Sequence, residues 1–176
     1  MRVLLAAVVC AAGLSACSLL SADEPEPPVP TGLVVTDRTA YDARLLTDGR
    51  VRVVFDVPYE VRNTTADPLY RIGCRTAPPP VLEKLVDGEW VMAYAAPRLA
   101  CLSPPFVVDE GEVRRDTLGV VGFLPGQNIV PEFGTEVKGT YRLNLELFSS
   151  LTDERPPLGK DLLPPESRVS NTFTVE

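Results

Sequence analysis

The chain has 176 residues, a formal net charge of −7 and no histidine. That length suits one domain of ordinary size, and an acidic chain without a basic stripe repels nucleic-acid phosphates. The absence of imidazole removes Ser-His-Asp and Cys-His nucleophile systems, His-ligated zinc and histidine pH switches.

Met1 and Arg2 make a short positive start, and Val3 to Leu14 is an apolar run too short for the roughly 20 residues of a spanning helix. A signal-peptide core fits better. Leu14-Ser15-Ala16-Cys17 follows directly, an apolar residue three positions before a cysteine with two small residues between them. This stretch resembles the lipobox of bacterial lipoprotein precursors. The resemblance implies that residues 1–16 are removed and that Cys17 becomes a lipid-bearing N-terminus. By the same resemblance, Ser18 rather than Asp after the cysteine implies the outer membrane if the source is Gram-negative. Residues 17–30 hold that cysteine and then, from Ser18 to Pro30, SLLSADEPEPPVP, whose prolines make a semi-extended acidic spacer of at most about 40 Å at roughly 3.1 Å per residue.

From Thr31 the pattern changes to short alternating segments, so residues 31–176 are expected to form one folded domain. Leu33 to Thr36 reads as a first strand, continued irregularly to Leu45 and closed at Asp48-Gly49. The clearest strand is next: Val51, Val53, Phe55, Val57, Tyr59 and Val61 share one face, and Arg52, Asp56, Glu60 and Arg62 the other. Pro58 predicts an edge or a bulge there. Asn63 to Pro68 reads as a turn, although Asn63-Thr64-Thr65 has the form of a glycosylation acceptor. Leu69 to Cys74 reads as a strand, and Pro78 to Pro80 as a connection. Val81 to Val86 and Glu89 to Tyr94 flank Asp87-Gly88, a strong hairpin signal. Phe106 to Val108 and Val113 to Phe123 are strands around the turn Asp109 to Glu112. Gly119, Gly122 and Gly126 suggest a bulged strand and a turn, since no lysine or following helix accompanies them as in a phosphate loop. Tyr141, Leu143, Leu145 and Leu147 alternate with polar residues. Ser149 to Ser167 reads as a long polar loop, and Arg168 to Glu176 as the closing strand.

This is an all-β chain without a convincing amphipathic helix, as expected for an antiparallel β-sandwich of about seven to nine strands. Gly139-Thr140-Tyr141-Arg142-Leu143, Val61-Arg62-Asn63-Thr64-Thr65 and Val169-Ser170-Asn171-Thr172-Phe173 resemble segments of bacterial immunoglobulin-like domains. The first resembles the entry to the penultimate strand, where a tyrosine corner is common. Cys74 and Cys101 depart from antibody domains because they flank a hairpin instead of joining two sheets, and Trp90 lies in that hairpin.

In an exported chain without C-x-x-C, Cys74 and Cys101 are expected to pair, adding roughly 3 to 4 kcal/mol on the chain-entropy account. The bridge would pin the loop of Cys101 to the strand of Cys74. Pro79, Trp90, Tyr94, Pro104 and Phe106 then become candidate partner contacts, because a cross-linked hairpin loses little entropy on binding. Closure of an open sandwich end explains the same residues without a partner. The long loop Ser149 to Ser167 is a second candidate surface.

Asp109, Glu110 and Glu112 put three carboxylates around one turn, but no spacing there matches an EF-hand, and a solvated turn accounts for them. Asp56, Glu60 and Glu146 fall on the polar faces of strands, where wet alternation accounts for them better than acid–base chemistry. No catalytic residue, cofactor or metal is assigned. The expected function is a lipid-anchored, non-enzymatic binding or structural module of the bacterial cell envelope. It meets the membrane through its anchor and an envelope protein as candidate partner, without nucleic acid. The alternative is a protease-inhibitor-like or chaperone-like partner of an envelope protein, and a third reading is a carbohydrate-binding accessory domain.

Overall fold

The computed structural model describes residues 31–74, 76–98 and 103–176. The expected lipobox and spacer, within residues 1–30, and Cys101 lie outside the described residues. Within them the chain is all-β, with a single 3-10 turn at Pro165–Ser167 and three sheets.

The organising strand is β4 (Val51–Arg62), whose odd-numbered face is buried from Val53 to Val61. Along one side it pairs with β9 (Val113–Phe123), Arg52 to Arg62 opposite Phe123 to Val113 without a break in register. Along the other side it meets β1 (Val34–Thr36) near its end and β3 (Arg44–Thr47) near its start. Pro58 therefore sits in a central strand with no bulge. Its backbone carbonyl accepts from Asp37 N–H at 3.3 Å, on the side where β1 has ended and β3 has not begun. A residue without an N–H is tolerated there because no ladder bond is missing. The bulge expected at Gly119 and Gly122 is likewise absent from the β4–β9 ladder.

A second sheet runs β2 (Ala40–Tyr41), β13 (Phe173–Val175), β10 (Gly139–Asn144), β6 (Val81–Val86) and β7 (Glu89–Ala95), antiparallel except for β2 against β13. The chain thus leaves the first sheet after β1, touches the second as β2, and returns as β3. Asp87 and Gly88, at φ 51° and 86°, make the tight β6–β7 turn that their types favour. A bulge falls in β7: Leu82 faces Tyr94 and Glu83 faces Met92, so Ala93 is left over. Its carbonyl accepts from Gly134 N–H at 2.8 Å instead. The slip changes the parity of the strand, and both Ala93 and Tyr94 turn into the core.

Phe55, Val57, Tyr59, Leu118 and Val120 of the first sheet join Leu82, Tyr94, Tyr141, Leu143 and Phe173 of the second in one apolar cluster, as in a β-sandwich. Phe133, in the β9–β10 connection, completes it with its ring 5.3 Å from that of Tyr94. The Tyr141 hydroxyl donates back to the Val137 carbonyl four residues upstream. Gly139 lies beside it at φ 147°, a left-handed conformation that favours glycine; a Cβ there would also have to displace the end of the Lys84 side chain, whose Cε would lie 2.5 Å away.

The third sheet corrects the expected loop. Ser149 to Ser167 contains most of a hairpin, β11 (Phe148–Leu151) with β12 (Gly159–Leu162), its prolines kept to the connection and to the stretch after β12. β11 adds to β5 (Leu69–Arg71), and β5 pairs with β8 (Phe106–Val108). These additions, and breaks in longer runs, give thirteen strands among the described residues where seven to nine were expected.

The β5–β8 pair continues the β4–β9 ribbon round a corner built on Asn63. That residue is 1% exposed. Its N–H donates to Glu112 O and its carbonyl accepts from Gly111 N–H, both at 2.9 Å. Its Nδ2 donates to Asp67 O and Val108 O, each at 2.8 Å, while Oδ1 accepts from Thr65 N–H and Oγ1. The acceptor-like sequence Asn63-Thr64-Thr65 is thus an Asx-type turn with its amide buried. Asn63→Ala removes both side-chain donors and leaves the Val108 carbonyl short of a partner. It is expected to lower stability by about 1–3 kcal/mol. In urea unfolding this appears as a lower midpoint with an unchanged slope.

Candidate functional site

The first five residues of β9, Val113 to Thr117, extend past the core and are exposed. Arg115 and Asp116 there separate two clefts. One, of about 620 Å³, lies over the β1–β4–β9 face and is lined by Val35, Pro58, Glu60, Arg62, Arg115 and Thr117 among others. The other, of about 610 Å³, lies between β8 and β9 and includes Arg71, Ala77, Pro105, Phe106, Arg114 and Asp116.

On the first cleft, Glu60 accepts from Arg62 Nε at 2.9 Å and from Arg115 Nε at 2.8 Å. The hydrogen bonds from these two guanidinium groups hold its carboxyl below the usual carboxylate range, against a smaller opposing effect of burial. The carboxylate flagged by sequence as merely wet is therefore the centre of a charged triad. Asp56 is exposed, and Glu146 pairs with Arg98 at 2.8 Å.

The second cleft holds the arrangement that the sequence reading missed. Arg71 is 3% exposed. Its Nη2 donates to the Tyr59 hydroxyl at 3.1 Å and also to the Pro78 carbonyl. Tyr59 in turn donates to Asp116 Oδ2 at 3.0 Å. Arg71 Nη1 stands 3.9 Å from the same oxygen, the longest ion pair among the described residues. Arg71 Nε is buried and has no acceptor. Burial pushes the Tyr59 hydroxyl up to about 12, with the Arg71 charge opposing and the Asp116 charge adding to the rise. Strand parity was the available signal. Tyr59 faces Asp116 across the ladder, and Leu118 and Val120 place the even positions of β9 inward. Leu69 likewise places Arg71 inward on β5.

The expected partner contacts do not form one surface. Phe106 is half-buried on β8 opposite Arg71 and lines the cleft, and Pro104 is exposed nearby in sequence. Pro79 lines a separate hollow with Cys74 and Pro97. Trp90 is half-buried with the Arg142 guanidinium 4.3 Å from its ring centre. Tyr94, at 3% exposed, offers a partner nothing: its hydroxyl meets Val121 N–H at 3.3 Å inside the fold. The β7 bulge is what separates these two aromatics, and their positions count against a flat sugar-stacking platform.

At the Asp109–Glu112 turn the groups serve one another. Glu112 Oε2 accepts from Asp109 N–H at 2.9 Å, Glu112 N–H donates to Asp109 O at 2.9 Å, and Glu112 Oε1 lies 2.6 Å from Arg114 Nε. No group of three or more acidic or cysteine side chains suited to a metal occurs among the described residues. No helix among them is long and apolar enough to cross a membrane. No protein-family model matches the chain, and no curated protein matches it significantly.

Glu60 supplies an acid-dependent contribution to stability. Its folded-state carboxyl lies below the ordinary value, so the contribution is present above the ordinary carboxylate range and is lost as pH falls through the folded-state value. Glu60→Gln is expected to flatten the decline in the urea midpoint between near-neutral and strongly acidic pH, while keeping the far-ultraviolet β signature. An unchanged decline would remove Glu60 from that role.

Proposed function

We propose that this protein is a lipid-anchored, non-enzymatic binding module of the bacterial cell envelope, with an immunoglobulin-like sandwich held out on a proline-rich spacer. Cys17 of Leu14-Ser15-Ala16-Cys17 is the lipid-bearing residue, and Cys74 bridges to Cys101 in the oxidising compartment beyond the membrane. The neighbour order β1-β4-β9 against β13-β10-β6, with the tyrosine hydroxyl of Tyr141 turned back to Val137, supports the immunoglobulin-like assignment.

The observation that carries the binding role is the cleft between β8 and β9. It joins an apolar wall, Pro105 and Phe106, to a buried cation, Arg71, at the edge of two sheets. Concave sites with apolar lining and a few placed polar groups are the usual form of a recognition site. The absence of histidine from the whole chain also favours recognition over general acid–base chemistry.

A photoreactive benzoylphenylalanine at Phe106 tests this reading in the native envelope. The expected product is a discrete adduct with one envelope protein, absent when the same group replaces the exposed Leu45 on β3. Equal labelling at both places, or none at Phe106, would contradict a partner site in the cleft.

A further inference from the structure

We infer that the β8–β9 cleft recognises a carboxylate on a partner peptide, and that Arg71 is the residue that reads it. The inference rests on the reading of the cleft as a partner site and adds the chemistry of what enters it.

Arg71 combines three properties that do not occur together elsewhere among the described residues. It is almost fully buried, it lines a cleft, and it keeps a donor, Nε–H, with no acceptor. A buried guanidinium is normally surrounded by acceptors because its five donors are costly to leave bare. Here Nη2 is satisfied by Tyr59 and Pro78, and the nearest carboxylate oxygen is too far for a hydrogen bond. Asp116 does not close that gap. Its Oδ1 accepts from Thr117 N–H at 2.8 Å and its Oδ2 from Tyr59, so it is held in place by other donors.

The remaining charges on the cleft are arranged differently. Arg114 is paired with Glu112 and Arg115 with Glu60, so neither needs a further anion. Of the three, Arg71 is the one whose paired carboxylate, Asp116 at 3.9 Å, stands beyond hydrogen-bond distance. An incoming carboxylate would supply a closer one through a single charge-assisted contact, because both Nη2 hydrogens are already given to Tyr59 and Pro78, with Phe106 and Pro105 as an apolar wall for the neighbouring side chain. A phosphate is the weaker fit, because Asp109 and Asp116 both line the cleft and would repel a second negative charge.

The carboxylate can be a side chain or a chain terminus, and small probes separate the two. The full chain in detergent, labelled with nitrogen-15, is titrated with N-acetylphenylalanine, with N-acetylaspartic acid α-amide, and with neutral N-acetylphenylalaninamide. The Arg71 Nε–H correlation is the direct readout. At least one acid is expected to move that proton downfield and to bind about tenfold or more tightly than the neutral amide. The first acid alone marks a terminal carboxylate, the second alone a side chain.

Arg71→Lys keeps the charge but loses the donor and is expected to abolish the preference for acid over amide. Asp116→Asn gives a second measure that does not depend on Arg71→Lys folding: removing the competing charge is expected to tighten acid binding several-fold without tightening the amide. Equal binding of acids and amide, or no movement of the Arg71 signal, would overturn the inference. If that happens while Phe106 still yields a discrete adduct, the binding module stands and only the carboxylate falls. If Phe106 yields none, the reading beneath it falls as well.

Discussion

The corner at Asn63 is the constraint on which the rest of this fold depends. An unbroken ribbon of two antiparallel strands twists but does not turn sharply. Here β4 and β9 pair to Arg62 and Val113, and the same two chain segments pair again as β5 and β8 in a different sheet. The turn between them removes several backbone groups from any ladder, and Asn63 alone answers five of those needs from its side chain and peptide. Glutamine is too long to reach the same groups and aspartate lacks the donors, so the chemistry of the corner specifies asparagine.

From that corner the site follows. Bending the ribbon brings β5 beside the overhanging start of β9, and strand parity then turns Arg71, Tyr59 and Asp116 toward each other at the edge of the core. A cluster of this kind is expensive: a buried guanidinium loses hydration, and its return from a distant carboxylate is small. Tyr59 softens the cost by linking the two charges through its hydroxyl, while its own ionisation is suppressed by burial. Tyr141 solves a related problem at the opposite connection, closing the approach to β10 through a single hydroxyl.

Much of the architecture was legible in the sequence because β-strands advertise period two. The limits of β8, β9 and the β6–β7 turn agree with the alternation and with Asp87-Gly88, and the inward face of β4 is the one that Val53 to Val61 mark. What failed were places where tertiary contacts override local signals. Ser150 and Gly159 have little strand propensity, yet β5 offers β11 an edge to join, so a polar stretch became a hairpin. Ala93 carries no mark of a bulge, and its effect on Tyr94 depends on Gly134 arriving from far along the chain. The Arg71 cluster was within reach of parity, but arginine and aspartate on a strand read as solvent-facing unless the neighbouring buried residues are followed one position further.

In the proposed function this domain is tied to a membrane through Cys17. A spacer rich in proline and acid holds a folded body away from a surface at low entropic cost, and it serves that purpose only if Cys17 is anchored. Membrane partition of the full chain, expressed in a bacterium and compared with Cys17→Ser, is the most direct test. The account predicts that the wild-type chain stays with the membrane after a high-salt wash and carries a lipid mass on Cys17, while the variant is released. A wild-type chain recovered unlipidated in the soluble fraction would contradict it.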